Sequence, residues 1–228
     1  MMRRFYVMAL FALACGASLS AQTGTDSVFQ HPLMAAQRPR FNELCAALSK
    51  HPVVKGTFEQ TRTISRLNRA LVSQGTFIIA AEVGMVWETL TPFPSTLAAG
   101  RDYLVQSTPS GSKTRLDAQG NEAFLRFSET ISAVFSGNAQ RLADNFTLWF
   151  TESGGEWTVG LVPKDKTMQS FATRIVISGG ALTSGSAEQA LRSVRLDEQN
   201  GDTIRYALSN HVFSEGLNAR EKNLFVAK

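Results

Sequence analysis

Residues 53–92 read VVKGTFEQTRTISRLNRALVSQGTFIIAAEVGMVWETLTP and carry three successive strand-like segments. Segments 56–62 and 85–89 alternate apolar or small residues with polar ones, and segment 72–80 is rich in β-branched and aromatic residues. Patterns with a period of two residues predict β-strands that each bury one face. The three strands then place five side chains on a shared apolar wall: Phe58, Phe77, Ile79, Met85 and Trp87.

The rest of the chain continues this strand pattern. Residues 97–106 predict a further strand, residues 107–120 predict a turn-rich connection, and later strands are predicted at 146–150, 157–163, 174–177, 193–197 and 203–208. Gly154-Gly155 and Asn200-Gly201 lie between neighbouring strands and are typical of hairpin turns. Because successive hairpins occur without strand–helix–strand alternation, we expect antiparallel pairing. The pattern predicts a mainly β protein with one strongly curved antiparallel sheet and helical pieces on one side.

Two apolar stretches predict helices. The first has the i, i+3, i+4, i+7 spacing of an amphipathic helix, with apolar residues at Phe41, Leu44, Cys45 and Leu48. Cys45 on this stripe is interpreted as a small buried apolar residue. The second stretch precedes Gly137-Asn138 and carries the side chains Phe124, Phe127, Ile131 and Phe135. Two interpretations stay open for this second stretch, because its side chains could form part of the core or a lid over a cavity.

The first 21 residues have the features of a secretory signal peptide. A basic start at 1–4 precedes an apolar run at 5–17, and small residues follow before Gln22. We expect cleavage after Ala21, a flexible leader at 22–39 and a single domain at 40–228. Lipidation at Cys15 is an alternative, because residues 12–15 form an imperfect lipobox.

Charge and cysteine content narrow the class of protein. Removal of Arg3 and Arg4 with the signal segment lowers the formal net charge from +4 to +2. No cluster of Lys and Arg interleaves with aromatic residues, so we expect no nucleic-acid partner. Only Cys45 follows the expected cleavage site, and a domain of this length can bury a sufficient core without a disulfide.

The sequence shows no pattern that predicts catalysis, a cofactor or a metal. His31, His51 and His211 lie far apart and have no ligand-spaced neighbours. Neither a Gly-x-Ser-x-Gly motif nor a phosphate-binding loop or dinucleotide fingerprint occurs. We therefore expect a binding protein rather than an enzyme, and a hydrolase acting on acylated substrates is a weaker alternative.

The order of several short motifs resembles the periplasmic lipoprotein carrier family, the LolA-like proteins. The resemblance begins with the apolar positions of the first helix and Gly56-x-Phe58-x-Gln60-x-Arg62. It continues with Ser73-x-Gly75-x-Phe77 and with Gly84-Met85-Val86-Trp87 followed by Pro92. Trp157-x-x-x-Leu161-x-Pro163 and Gly201-Asp202 extend it, so that it covers residues 40–226.

The resemblance implies an incomplete antiparallel β-barrel whose open side is covered by helices. It also implies a monomeric carrier in the periplasm that holds acyl chains of lipoproteins in an apolar cavity. An inner-membrane ABC exporter would supply the cargo, and an outer-membrane acceptor would receive it. The implied acyl-binding residues are the five of the wall, together with Phe124, Phe127, Ile131 and Phe135.

One departure from the family pattern concerns the segment before Trp87. Well-studied carriers have an arginine there that helps to keep the lid closed, whereas residues 80–84 read AAEVG and contain no basic residue. The chain therefore resembles a divergent branch, whose cargo could be lipoproteins or another acylated envelope lipid. A protein of this fold anchored through Cys15, acting as an acceptor or a lipid-binding lipoprotein, is a further alternative.

Overall fold

The computed structural model describes residues 27–100, 103–107, 110, 112–117, 138–180 and 191–226. In this part of the chain, eleven strands form one antiparallel sheet. The strands are β1 (Val53–Ile64), β2 (Arg69–Ala80), β3 (Gly84–Thr91), β4 (Ser95–Ala99), β5 (Tyr103–Ser107), β6 (Lys113–Asp117), β7 (Phe146–Ser153), β8 (Glu156–Pro163), β9 (Arg174–Gly179), β10 (Ser193–Asp197) and β11 (Thr203–Ser214).

Helices are short and few in the described residues. They are α1 (Arg38–Leu48), α2 (Ala139–Asn145), α3 (Lys166–Phe171) and α4 (Ala219–Leu224). Pro39 lies in the first turn of α1, where its fixed φ suits a helix start and its missing N–H leaves no donor unpaired. Across the described ranges, the helices lack the length and apolarity that crossing a membrane requires.

The strand order makes the sheet an open, strongly curved barrel. The order is β6-β5-β4-β3-β2-β1-β11-β10-β9-β8-β7, so β1 and β11 join two halves in the centre. No ladder connects the outermost strands β6 and β7 within the described residues. Helices α1 and α2 pack on the inner face, because their apolar residues belong to the same core cluster as those of the strands. The predicted fold class, a mainly β incomplete barrel with helices over its open side, is confirmed.

Two sequence-based boundaries differ from the structure. The strand predicted at 97–106 is two strands, β4 and β5, and the Gly100 N–H after β4 donates to the Tyr103 carbonyl at the start of β5. The connection predicted at 107–120 contains β6, which pairs with β5 in register from Tyr103↔Asp117 to Ser107↔Lys113. Residues 113–117 form a strand because they pair with β5 at the edge of the sheet. Their sequence is short and polar, so it has no alternation from which a strand could be predicted. The predicted helix with Phe124, Phe127, Ile131 and Phe135 lies outside the described residues.

The described part of the segment 22–39, which begins at Ser27, packs against the sheet. The 3-10 turn Ser27–Gln30 packs over Gly160 of β8, and Val28 is fully buried. The Phe29 ring meets Trp149 edge-on with centroids 5.4 Å apart. His31 and Leu33 then exchange backbone hydrogen bonds with Phe150 and Leu148 of the β7 edge. This segment is held in place by its buried apolar side chains and by its backbone hydrogen bonds to β7, the edge strand of the sheet.

Two glycine–phenylalanine pairs lock β1 to β2 by reciprocal packing. Gly56 lies opposite Phe77, and Phe58 lies opposite Gly75. A Cβ at Gly56 would lie 2.7 Å from the Phe77 ring, and a Cβ at Gly75 would lie 2.8 Å from the Phe58 ring. Each ring therefore covers the backbone of the glycine across from it, which the absence of a side chain permits.

The outer face of β2–β5 has its own cover, formed by the C-terminal segment. Phe225 packs with Val86, Ala98 and Val105 in a second buried cluster. The Lys55 ammonium and Glu221 carboxylate of α4 form a part-buried ion pair with an N···O distance of 2.6 Å. Burial opposes ionisation of Glu221, but hydrogen bonds from Lys55 and the Asn218 backbone outweigh it and lower the pKa of this carboxyl. The C-terminal segment thus covers the outer face, whereas the main core and a pocket lie on the inner face.

The reciprocal packing predicts that Gly75→Ala lowers the free energy of unfolding by about 1–3 kcal/mol, the usual cost of overpacking. The added methyl would overlap the Glu88 carbonyl and press on the Phe58 ring. Urea unfolding followed by circular dichroism measures the effect. The matched control is Gly216→Ala, where a Cβ meets nothing within 4 Å, and its expected change is within about 0.5 kcal/mol. Equal effects of the two substitutions would contradict the packing argument.

Candidate functional site

A partly open pocket of about 210 Å³ lies on the inner face of the sheet. Its residues come from β4, β3, β1 and β11, which are four of five consecutive strands of the sheet, with β2 lying between β3 and β1. We call Met85, Trp87 and Leu97 the apolar floor, and Gln60, Thr89, Ser95 and Tyr206 the polar rim. None of these described lining residues carries a charge, so the pocket is suited to an uncharged or apolar ligand.

Stacked aromatic rings support the apolar floor. The Trp87 ring stacks on Phe58 with centroids 4.7 Å apart and on Phe77 with centroids 5.8 Å apart. Phe58 and Phe77 are almost fully buried, whereas Trp87 is half-buried and faces the pocket. Two phenylalanine rings therefore set the position of the indole. Each ring packs over a glycine of the opposite strand, where no side chain occupies the space.

Tyr206 is the described lining residue that comes from the C-terminal half of the chain. It lies opposite Gln60 in the β1–β11 ladder, and its ring meets Trp87 edge-on with centroids 4.9 Å apart. Burial raises the pKa of Tyr206, and the nearby Arg62 and Glu198 charges act in opposite directions on it. The phenol is therefore a neutral hydrogen-bonding group at neutral pH.

A charged network closes the sheet end next to the polar rim. The Arg62 guanidinium donates to the Glu198 carboxylate at 2.9 Å and lies 3.7 Å from the Asp202 carboxylate. Asp202 also accepts the Ser65 backbone N–H at 3.0 Å, and the Ser65 hydroxyl donates to the Gly201 carbonyl. These contacts tie the β1–β2 turn to the β10–β11 turn, so that the strands bearing Gln60 and Tyr206 keep their relative position.

The structure brings all five wall residues into one cluster but gives them different places. Met85 and Trp87 line the pocket, and Phe58, Phe77 and Ile79 lie in the core beneath or beside it. The four candidates at 124–135 lie outside the described residues. The acyl-binding role of the whole set stays a prediction.

Sequence reasoning missed the polar rim and Leu97. The two-residue alternation of β3 carries a usable signal, since Thr89 is on the same face as Met85 and Trp87. Tyr206 carries none, because more than a hundred residues separate it from Gln60 and only the β1–β11 ladder brings them together. The sequence alone does not specify which strands of the two halves meet.

The histidines and Cys45 take places that do not belong to the pocket. The buried His211 ring contacts Phe77 and Phe213, with centroids 5.8 and 6.4 Å away. Burial raises the pKa of the Cys45 thiol to about 11, so the thiol is protonated at neutral pH. Within the described residues no group of three or more His, Cys, Asp or Glu side chains is arranged to hold a metal ion.

Comparisons with known proteins find likeness only among solved structures. No protein-family model and no curated protein matches the chain. The chain is similar to a solved LolA superfamily protein. That LolA superfamily protein comes from Nitrosomonas europaea. It shares 8% sequence identity with the present chain at a TM-score of 0.42, and the alignment covers 80% of the present chain and 95% of the neighbour.

Two further solved structures show a comparable likeness. A DUF1329 family protein from Desulfovibrio piger has 9% identity and a TM-score of 0.48, with 82% of this chain and 96% of that chain covered. The lipoprotein LppX from Mycobacterium tuberculosis has 12% identity and a TM-score of 0.42, with 79% and 98% covered. At these values the likeness concerns the course of the chain and not cargo or partners.

The raised pKa of Tyr206 predicts a loss of stability at alkaline pH. The unfolded chain releases the phenol proton near pH 10 while the folded chain retains it, so the free energy of unfolding falls as pH rises, by about 1.4 kcal/mol per pH unit at most. Below about pH 10 this contribution is fully present. Urea unfolding at about pH 9 and about pH 11 should show a smaller decrease in Tyr206→Phe than in the wild type. Equal decreases in the two proteins would contradict the prediction.

Proposed function

We propose that this protein is a non-enzymatic periplasmic carrier that shields the acyl chains of lipoproteins between the inner and outer membranes. The acyl chain lies on the apolar floor, against the indole of Trp87. In this proposal an inner-membrane ABC exporter supplies the cargo and an outer-membrane acceptor receives it. The motif resemblance to LolA-like carriers supports the same class of cargo.

The observation that carries the proposal is an uncharged, partly open pocket on the inner face of an open sheet. A sheet of this size could fill its inner face with core side chains, yet the half-buried Trp87 and Leu97 face a space of about 210 Å³. The rings of Phe58 and Phe77 support the Trp87 indole by stacking. An alkyl chain could fill the space over the apolar floor without burying a charged group.

The size of the pocket indicates a part of one acyl chain rather than a whole lipid. Pockets for small molecules usually have about 300–1,000 Å³, which exceeds the 210 Å³ found here. Each methylene removed from water contributes about 0.8 kcal/mol, so burial of about five contributes on the order of 4 kcal/mol. That contribution is compatible with a carrier, which must bind its cargo and also release it.

The alternative roles differ in anchoring, cargo or chemistry. Lipidation at Cys15 would make the protein a membrane-anchored acceptor or lipid-binding lipoprotein with the same pocket, and the mass of the mature N-terminus distinguishes it from a cleaved carrier. Another acylated envelope lipid could replace the lipoprotein. A hydrolase would need a base beside a nucleophile, and none of the described lining residues is a base next to Ser95.

A stearoyl ester brominated at mid-chain tests the pocket directly, because bromine quenches tryptophan emission on close contact. The wild type should show saturable quenching. Trp87→Phe should lose most of it, because Trp87 alone of the three tryptophans lines the pocket. The matched control is Trp149→Phe, which removes an indole that packs against Phe29 away from the pocket, and quenching should persist.

Binding itself is tested by placing a charge on the apolar floor. Trp87→Glu should abolish saturable binding, because an unpaired carboxylate next to an alkyl chain is strongly disfavoured. Val72→Glu adds the same charge at an exposed position of β2 and should bind like the wild type. Circular dichroism establishes that both variants fold. Absence of saturable binding of any acyl ester to the wild type would refute the carrier proposal.

A further inference from the structure

The inner face of β2–β4 changes from apolar to polar along the strands. The side-chain rows, taken toward the β3–β4 turn, are Ile79, Met85 and Ala99; Phe77, Trp87 and Leu97; and Gly75, Thr89 and Ser95. In the neighbouring ladder, Gln60 and Tyr206 form a pair one row beyond Phe58 and Leu208. The polar rim therefore lies at the end of the pocket nearest the turns, and the apolar floor lies deeper.

The polar groups of the rim have capacity left for a ligand. The side chains of Gln60, Thr89, Ser95 and Tyr206 make no hydrogen bond with the described residues. Gln60 and Tyr206 are half-buried rather than freely exposed, so a ligand that covered them without bonding to them would leave polar groups unpaired. These side chains offer an amide, a phenol and two hydroxyls, all of which are neutral.

The nearest charges do not favour an anion. Arg62, the next inner-face residue after Gln60 on β1, faces two carboxylates, Glu198 and Asp202. The guanidinium of Arg62 is therefore already paired with carboxylates. A carboxylate or phosphate held at the rim would lose hydration and would find no cationic partner among the described lining residues.

We propose that the polar rim recognises the uncharged carbonyl linkage of an acyl group, an ester or an amide, while its alkyl chain lies on the apolar floor. This inference rests on the proposed carrier function and adds the chemical class of the ligand. The linkage accepts hydrogen bonds from Gln60, Tyr206 and the rim hydroxyls. Glycerolipids supply an ester and lipopeptides supply an amide or an ester, so both sources share the recognised group.

The test compares ligands that share one chain and differ in the group at its end. Mid-chain dibromostearate is used as the free acid, as its monoglyceride and as an amide-linked lipopeptide, with tryptophan quenching as the readout. At about pH 8 in dilute solution the free acid is ionised. The monoglyceride or the lipopeptide should bind at least about tenfold more tightly than the anion, because the anion loses hydration at an uncharged site. Either source binding in this way supports the proposal.

Rim variants assign the preference to named side chains. Tyr206→Phe and Gln60→Leu should each weaken binding of the monoglyceride by about 3- to 10-fold, the usual effect of one lost hydrogen bond, and leave the anion unchanged. The matched control is Gln74→Leu, the same substitution on β2, where the side chain is exposed and donates to Glu59. Tyr206→Phe removes one hydroxyl that has no described partner, so it should fold normally.

The outcomes separate the two proposals. Equal binding of anion and monoglyceride would overturn the recognition of the linkage and leave the carrier function intact. A preference that survives both rim substitutions would overturn its assignment to the polar rim. Saturable binding of none of the three ligands would refute the carrier proposal together with this one.

Discussion

The packing of two phenylalanine rings over two glycines of the opposite strand is the interaction on which the pocket depends. Phe77 covers Gly56 and Phe58 covers Gly75, because the antiparallel register places each ring across from a residue without a side chain. Both rings lie flat enough on the sheet to support Trp87 by stacking. The pocket lies beside the indole that these rings support.

Charged groups hold the two ends of the central strands, and none of the described residues that line the pocket carries a charge. Arg62 with Glu198 and Asp202 joins the turns near the polar rim. Lys55 with Glu221 holds the C-terminal helix on the outer side. Both networks are part-buried, so they are screened less than surface pairs and favour one arrangement of the strands. Apolar packing of the C-terminal segment then covers the outer face of β2–β5.

Polarity on the inner face follows from where each row lies relative to the sheet end. Deep rows are surrounded by core and contain Ile79 and Met85, whereas the row near the turns contains Thr89 and Ser95. An amphiphilic ligand has the same order of groups, an alkyl chain followed by a polar linkage. The pocket is therefore directional, and the strand registers determine its direction.

How much could be predicted from the sequence differs between elements. The strands of 53–92 and the later hairpins follow from two-residue alternation and turn glycines, and the α1 stripe follows from its helical spacing. Strand β6 was not predicted, because a short polar edge strand is held by its partner and not by its own pattern. The order of the anchored segment at Ser27–Gln30 likewise depends on Gly160 and Trp149, which lie far along the chain.

The strand pattern, the antiparallel pairing and the apolar wall can be predicted from the sequence, because local alternation specifies which side chains share a face. Which wall residues face a pocket depends on the tertiary structure. The β1–β11 ladder, which closes over more than a hundred residues of chain, places Tyr206 beside Trp87 and completes the polar rim. Long-range strand pairing leaves no local pattern, so the apolar floor could be predicted in part and the polar rim could not.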